Sequence, residues 1–566
     1  MPEGSVDPAT LPQGHKMSPW DLCPEWAPDV FAVAATLADV SGCYTAARCV
    51  GNTEVEHSAY LREVIDAAVE WNDSELLPAV VQSWWDVLVA HGAVMLSELA
   101  ADKTLSGMVL RLLATADEVC AGIGWAKQDQ TFAAEQASFS FVRVPAADAK
   151  LSNLLPFRPH SLCQRVPPDA AIVLPKAMTP AVGCSVRALS HHLCLLPSKL
   201  TVLPTWYLND NGSQGDQMRL LVIPFPFVVP GTSFVRGSSI DPFPSPREKT
   251  QGYFQLTQDW LDGLDPKVFA DQMVIPLLRE AKKKCGAQVH GVLFPECAFS
   301  KQFCDGVAMA LANHPDELGL KFLIAGVMDN VPGREKRNAA LCYAFDDRSP
   351  EKTVDPDVDS ILLGAHSKHH PWCLDVSQIR RYGLSNLFQS TTDRWWEEID
   401  VSERQLPFFA IRDDLCMTVL ICEDLARADP AMPVVRAVGP NLVVALLMDG
   451  PQLASRWPGR YATVLADDPG SSVLSITCVG MVDRSNAHQK NPVRSVGLWR
   501  HADGDMQELV LPAGKCGLLL HLQSVAEEQF SLDHRGDGSE TSRLELQYVD
   551  ALGLGDSTPD WAFKQI

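Results

Sequence analysis

The sequence predicts an α/β layered domain preceded by a mostly α-helical segment, and three observations carry that expectation. From about Val30 to Trp125 apolar residues recur at three- and four-residue steps, the period of amphipathic helices. From about Leu200 onward short apolar runs alternate with helical stretches across polar turns, as strands and helices of one layered fold do. Between them, from Gln128 to about Thr205, the pattern is mixed and rich in proline. The expected division is therefore a helical segment over 1–127, a mixed linker over 128–205, an α/β domain over 206–523 and a tail over 524–566.

In the helical segment, TEVEHSAYLREVIDAAVEWN and LLPAVVQSWWDVLVAHGAVMLSELAAD show few β-branched alternations. Trp84 and Trp85 lie on one of these helices, where aromatic residues are expected in the core. FAAEQASFSFVRVP alternates like a short strand, and a Pro-rich stretch follows from Pro145 to Pro180. His191, His192 and Cys194 lie close together in the linker, but adjacent histidines do not readily serve one tetrahedral ion, so no metal site is expected there.

In the α/β region, Arg219 to Val229 reads as a buried strand and Gln255 to Cys285 as a long amphipathic helix ending near Gly286. Then come the strand VHGVLFPE, a helix from Lys301 to Asn313, and the strands KFLIAGVMD and AALCYAFDD on either side of a Gly-containing turn. FFAIRDDLCMTVLIC, NLVVALLMD and SSVLSITCVGMVD continue the series. VGLWRHADG and QELVLPAGKCGLLLHLQ read as a closing antiparallel pair, and the tail from Ser524 as acidic and irregular.

Composition narrows the partners. The 566 residues carry 47 basic and 70 acidic side chains, a formal charge of −23, which repels a phosphate backbone and argues against nucleic acid. Arg380-Arg381 and Lys282-Lys283-Lys284 read as solvated helix faces. The N-terminus shows no basic stretch followed by an apolar one, and no apolar run reaches the roughly 20 residues of a membrane helix. Sixteen cysteines without a C-x-x-C pair fit reduced thiols, so a cytoplasmic protein is expected.

Three side chains with catalytic chemistry fall at the ends of expected strands. Glu296 closes VHGVLFPE, Lys368 sits in HSKHHPWC after the strand Ile361 to Gly364, and Cys422 closes MTVLI. Layered α/β folds gather functional groups at such ends. Cys422 would be a nucleophile whose thiol is lowered by a following helix and by the Lys368 ammonium. Glu296 would take its proton and return it to a leaving amine. Lys368 and the backbone N–H of Glu423 would hold the tetrahedral oxyanion, such donors contributing on the order of 3 kcal/mol each. This chemistry requires no metal or organic cofactor.

With these residues the sequence resembles the nitrilase, or carbon–nitrogen hydrolase, superfamily. The matching motifs are LFPE around Glu296, the lysine followed by HHP around Lys368, and VLICEDLARADP around Cys422, with intervals of 72 and 54 residues. IAGVMDNVPGREKRNAALC and LVVALLMDG also resemble that family, and the likeness spans Arg219 to Leu520. It implies a nitrilase-like α-β-β-α sandwich pairing with a second copy through its outer helices, a small amide or nitrile substrate, and Glu296, Lys368 and Cys422 as base, oxyanion cation and nucleophile. KHHPWC resembles the lysine motif of aliphatic amidases, which carry a further glutamate eight residues after the lysine. Here that position is Val376, so Asp375 is the candidate second carboxylate, against the reading of a surface aspartate. Trp372, Asp449 and Trp457 are candidate pocket residues, with core packing as the other reading of Trp372. His366, His369 and His370 flank the lysine, where a solvated loop is expected.

The helical segment is open to several readings: a module for a protein partner, an oligomerisation element or a lid. LPKAMTPAVGCSVRALSHHL resembles the linker of nitrilase domains associated with reverse transcriptases in bacterial phage defence, which allows the alternative of an interaction or sensing module with little or triggered turnover.

Overall fold

A computed structural model of the chain describes residues 20–50, 53–125, 131–142, 159–197, 201–208, 215–237, 251–314, 318–330, 336–345, 358–388, 394–555 and 559–563. Residues 145–158 of the Pro-rich stretch and the glycine turn at 331–335 lie outside these.

The helical segment consists of α1 (Ala27–Ser41), α2 (Glu54–Ser74), α3 (Ala79–Ala90), the single turn α4 (Leu96–Leu99) and α5 (Lys103–Val119). Helix α5 is central and packs on α1, α2 and α3. Asp102 caps it, its carboxylate accepting from the N–H groups of Thr104 and Leu105 at 2.8 and 3.1 Å. Its inward stripe, Leu105, Val109, Leu112, Leu113 and Ala116, is buried. Trp84 and Trp85 are core residues as expected, and the Trp85 indole donates to the Trp20 carbonyl. The expected strand in FAAEQASFSFVRVP is instead a helix, α6 (Phe132–Val142). Its Ala-Ala-Glu-Gln-Ala start favours helix more strongly than the later alternation favours strand, and Thr131 caps it, accepting from the Ala134 N–H at 3.4 Å.

The linker contributes a hairpin, β1 (Ala171–Pro175) with β2 (Leu193–Pro197), and then β3 (Leu203–Leu208). Two buried aspartates tie the helices to it. Asp29 on α1 accepts the N–H groups of Gln164, Arg165 and Val166 at 3.1, 3.0 and 3.0 Å. Asp117 on α5 accepts those of His191, His192 and Leu193 at 2.7, 3.0 and 2.9 Å, and the Arg535 guanidinium at 3.3 Å. Arg535 also pairs with Asp533 and Glu118, and Tyr60 donates to Asp533 at 2.7 Å. Burial alone would raise the Asp117 carboxyl, but His192, Arg535 and the backbone donors outweigh it and hold it below the ordinary carboxylate range. His191 is consumed structurally, its ring lying between the Thr179 hydroxyl and the Arg535 carbonyl.

In the α/β region the strands are β4 (Gln217–Val222), β5 (Phe234–Arg236), β6 (Gln251–Leu256), β7 (Gly291–Ser300), β8 (Phe322–Asp329), β9 (Arg337–Ala344), β10 (Leu362–Ser367), β11 (Cys373–Asp375), β12 (Arg394–Glu397), β13 (Gln405–Arg412), β14 (Leu415–Ile421), β15 (Leu442–Leu447), β16 (Ser472–Thr477), β17 (Ser495–Arg500), β18 (Met506–Val510), β19 (Gly517–Glu527) and β20 (Thr541–Leu552). They form one seven-stranded sheet in the order β10-β9-β8-β7-β4-β19-β20 and another in the order β18-β17-β16-β15-β14-β13-β3. A third, four-stranded sheet has the order β11-β12-β6-β5. The large sheets face each other, β7 meeting β15 and β16 while β10 meets β13 and β14. On their outer sides lie α9 (Lys301–Ala312) against β7 and β8, and the helix Trp457–Asp467 against β16 and β17. Strands covered on both sides read as unbroken apolar runs, and β14, β15 and β16 are buried throughout.

Three expectations change. The long helix over Gln255–Cys285 is a strand, β6, followed by a helical rod that starts at Pro266, where Asp265 accepts from Lys267 and Val268 at 2.9 and 3.0 Å. The rod widens to a π turn at Ala270–Val274 before the helix Ile275–Cys285, because Pro276 has no N–H to continue the ladder. It ends where Gly286 adopts φ 68°, a conformation open to glycine. The closing antiparallel pair is β17 with β18, while β19 crosses to the other large sheet beside β4. The stretch read as an irregular tail holds the end of β19 and all of β20, which pair antiparallel over their length. Lys282–Lys284, Arg380 and Arg381 are exposed on helices, as expected. No helix among the described residues is long and apolar enough to cross a membrane.

Asp117→Ala leaves three backbone donors unpaired and takes one of three carboxylates from the buried Arg535 guanidinium. It is expected to cost about 3–5 kcal/mol of unfolding free energy at neutral pH. Because the folded-state carboxyl is depressed, this contribution is complete above the unfolded aspartate pKa and is lost as pH falls through the lower folded value. Urea unfolding of both proteins at neutral and acid pH measures it, and equal stability at neutral pH would contradict the assigned tie.

Candidate active site

The side chains that meet at the seam between the sheets come from three sheets. Glu296 lies on β7, where the ladder to β8 breaks between Phe294 and Phe299 and Cys297 takes φ 57°. Such a bulge re-aims a strand side chain. Gly326 on β8 makes it possible, since a Cβ there would lie 2.4 Å from the Glu296 Cα. Lys368 follows β10, its N–H held by the Asn338 carbonyl at 2.8 Å.

The Lys368 ammonium donates to Glu296 Oε1 at 2.8 Å and to Glu397 Oε2 at 2.6 Å. Asn338 Nδ2 bridges the same carboxylates, 2.9 Å from each, and the Trp372 N–H donates to Glu397 at 2.9 Å. Lys368 is fully buried and Glu296 nearly so. Burial alone would lower the lysine, but the two carboxylates outweigh it and hold it well above its ordinary range. The Glu296 carboxyl is raised by burial first, with Lys368 opposing and Glu397 adding to the rise. Its second oxygen, Oε2, is buried without a hydrogen-bond partner among the described residues.

Cys422 stands at the end of β14 and opens the single 3-10 turn Cys422–Ala426. Its φ of 45° is left-handed, a strain of about 1–3 kcal/mol for a residue with a Cβ, and only 3% of it is exposed. The thiol feels the charges of Glu296, Lys368, Glu423 and Asp449. The expectation of a lowered thiol is corrected: burial and the Glu296 charge raise it well above its ordinary value, more than Lys368 lowers it. A 3-10 turn of five residues is too short to supply a strong dipole. The resting group is therefore a neutral thiol. The Glu423 N–H lies in the first turn, where N–H groups lack intrahelical acceptors, and the Glu423 side chain pairs with Arg427 at 2.5 Å.

Asp375 does not join the site. It caps the helix Val376–Arg381, accepting from the Gln378 N–H at 2.7 Å in a capping box, and is exposed. The second carboxylate is Glu397, 29 residues beyond the lysine, which the sequence reading missed. A signal existed in RWWEEID, where a short aromatic run ends on glutamate. Asp449 accepts from the Tyr382 hydroxyl, from Arg456 at 2.9 Å and from the Trp457 indole at 3.0 Å, and its charge acts on the Cys422 thiol. The Trp372 ring packs edge-on against Phe234, Phe254 and Tyr382.

The histidines beside the lysine are not a solvated loop, for His366 and His369 are buried. Asp424 accepts the N–H groups of His369 and His370 at 3.1 Å, fastening the lysine loop to the turn that carries Cys422. The cysteines among the described residues are all free thiols.

No family model and no curated protein matches the chain. Among solved structures, it is similar to an amidase from Nesterenkonia sp. at 14% identity, covering 55% of this chain and 91% of that one with a TM-score of 0.31. It is also similar to Saccharomyces cerevisiae Nit3, a member of branch 10 of the nitrilase superfamily, at 12% identity, 55% and 91% coverage and a TM-score of 0.29. A glutamine-dependent NAD+ synthetase from Acinetobacter baumannii matches at 13% identity, 54% and 45% coverage and a TM-score of 0.30.

Two outcomes follow from this geometry. Asp375→Ala is expected to cost about 1 kcal/mol through the lost cap, read as a lower denaturation midpoint. In the native protein at neutral pH, iodoacetamide is expected to modify the exposed Cys184 well before the buried, neutral Cys422. Peptide masses over time measure this, and faster labelling of Cys422 would contradict its neutral resting state.

Proposed function

We propose that the chain is a nitrilase-type carbon–nitrogen hydrolase of α-β-β-α architecture that cleaves a small amide, or a nitrile, through a thioester on Cys422. The observation that carries this reading is the Lys368 ammonium held between Glu296 and Glu397, with one glutamate oxygen left unpartnered in the electrostatic field of a strained strand-end thiol.

Glu296 accepts the Cys422 proton as sulfur attacks the amide carbon, because a neutral thiol is a poor nucleophile and a raised carboxylate is a competent base. The oxyanion formed by the carbonyl is stabilised by the Lys368 ammonium, two of whose protons are engaged by carboxylates, and by the Glu423 N–H. Protonated Glu296 hands its proton to the departing nitrogen, and the C–N bond breaks. Water then adds to the thioester while Glu296 takes its proton, and sulfur leaves with that proton as the acid is released. Glu397 keeps Lys368 charged and in place throughout.

The near-complete burial of Glu296, Lys368, Glu397 and Cys422 favours one further reading of the same chemistry, in which turnover waits on a trigger that opens the site.

The test is ammonia release and acyl-enzyme mass with a panel of short-chain amides, nitriles and N-carbamoyl compounds. Cys422→Ala is expected to lose about 10³-fold or more in turnover and all covalent adduct. Equal ammonia from both proteins would sink the hydrolase reading. Glu397→Gln is expected to reduce turnover about 10²-fold. It should also move the acid limb of the residual rate to lower pH, because Glu397 helps to raise the Glu296 carboxyl that must be ionised to act as base. An acid limb unmoved in that variant would remove Glu296 from the role of base.

A further inference from the structure

Behind the lysine and cysteine loops, His366, His369 and Asp424 form a cluster of donors sealed from solvent. One donor atom of each lies within 4.8 Å of the other two. The His366 Nδ1 is 2.9 Å from the Gln405 carbonyl and its Nε2 is 3.0 Å from Asp424 Oδ2. A carbonyl only accepts, so the Nδ1 carries a proton, and in the neutral ring the Nε2 lone pair then faces an anionic oxygen. That arrangement calls for a cation between nitrogen and oxygen. His369 gives the second, independent observation. It is 1% exposed, its ring stands edge-on to His366 with centroids 4.7 Å apart, and neither ring nitrogen meets a partner in hydrogen-bond geometry among the described residues, although the Gln405 backbone is near enough to favour its charged form. A buried imidazole with two unpaired nitrogens is costly unless something is bound to it.

We propose that this cluster binds one divalent first-row transition-metal ion of the zinc type through His366 Nε2, a ring nitrogen of His369 and an Asp424 oxygen. Two imidazoles and a carboxylate are a donor set suited to zinc or cobalt. The His366–Gln405 bond is the outer contact that orients a metal-binding imidazole. The ion replaces a lone proton between His366 and Asp424 and gives His369 the partner it lacks. It also has a mechanical consequence. His366 and His369 flank Lys368, and Asp424 lies two residues beyond Cys422, so a bound ion joins the ammonium loop to the thiol turn. The ion is held by these side chains whether or not the chain hydrolyses an amide.

The experiment uses the full chain carrying Cys184→Ser, which removes the exposed thiol as an adventitious ligand. The protein is stripped with chelator, loaded with Zn²⁺ or Co²⁺, passed through gel filtration and assayed by elemental analysis, absorption spectroscopy and thermal unfolding. The expected result is one retained ion per chain, cobalt ligand-field bands without thiolate charge transfer, and a melting temperature raised by Zn²⁺ but not by Mg²⁺. His369→Gln in the same background is expected to lose the ion while staying close to the parent's metal-free melting temperature, since neither ring nitrogen meets a partner in hydrogen-bond geometry. No retained ion, a thiolate band, or undiminished uptake by His369→Gln would each overturn the proposal, the first leaving a proton alone between His366 and Asp424. Should His369→Gln fail to fold, the parent's cobalt spectrum and its Zn²⁺-dependent melting decide.

Discussion

A fully buried ammonium is the constraint around which the α/β region is organised. Taking a lysine charge out of water costs several kcal/mol even after relaxation, so Lys368 is tolerable only where carboxylates stand within hydrogen-bond reach. Two glutamates and an asparagine meet that requirement, from strands far apart in the chain: Glu296 on β7, Glu397 on β12 and Asn338 on β9. Their convergence in turn requires the bulge in β7, the missing side chain at Gly326 and the small sheet in which β12 pairs with β6. The raised Glu296 and the high thiol of Cys422 are consequences of the same water-free enclosure.

A second set of buried charges performs the equivalent task for the helices. Asp29 and Asp117 each gather three consecutive backbone N–H groups of the linker, so loops that would otherwise bury unpaired donors are satisfied from a neighbouring helix. The helical segment is thereby continuous with the rest of the protein. The Trp26 and Trp206 indoles add bonds in both directions across the boundary, to the carbonyls of Leu162 and Gly124.

What could be read from the sequence was what is locally encoded. Strands buried on both faces announce themselves as apolar runs, and Glu296, Lys368 and Cys422 were singled out because each sits where such a run stops. Glu397 was passed over for the opposite reason. It reaches the ammonium through the pairing of β12 with β6, a contact between distant segments, and a fixed spacing after the lysine led to Asp375, whose actual work is to cap a helix. Phe132–Val142 was misread because alternation and helix propensity conflict within it. The strand β20 was missed because its sequence, TSRLELQYVDAL, is polar on its exposed positions and gains its order from β19. His366, His369 and His370 were taken for a solvated loop because burial of a histidine run is decided by what folds over it.

The tie between Asp117 and Arg535 spans 418 residues, and this bears on how the protein is made. Helix α5 emerges from the ribosome long before its arginine exists, and until then Asp117 has no opposite charge from Arg535. The bond that fastens the front helices to the end of the chain is therefore made late in synthesis. It waits on the arrival of the Ser531–Arg535 loop, and a chain released before that loop would leave Asp117 and Glu118 without their guanidinium partner.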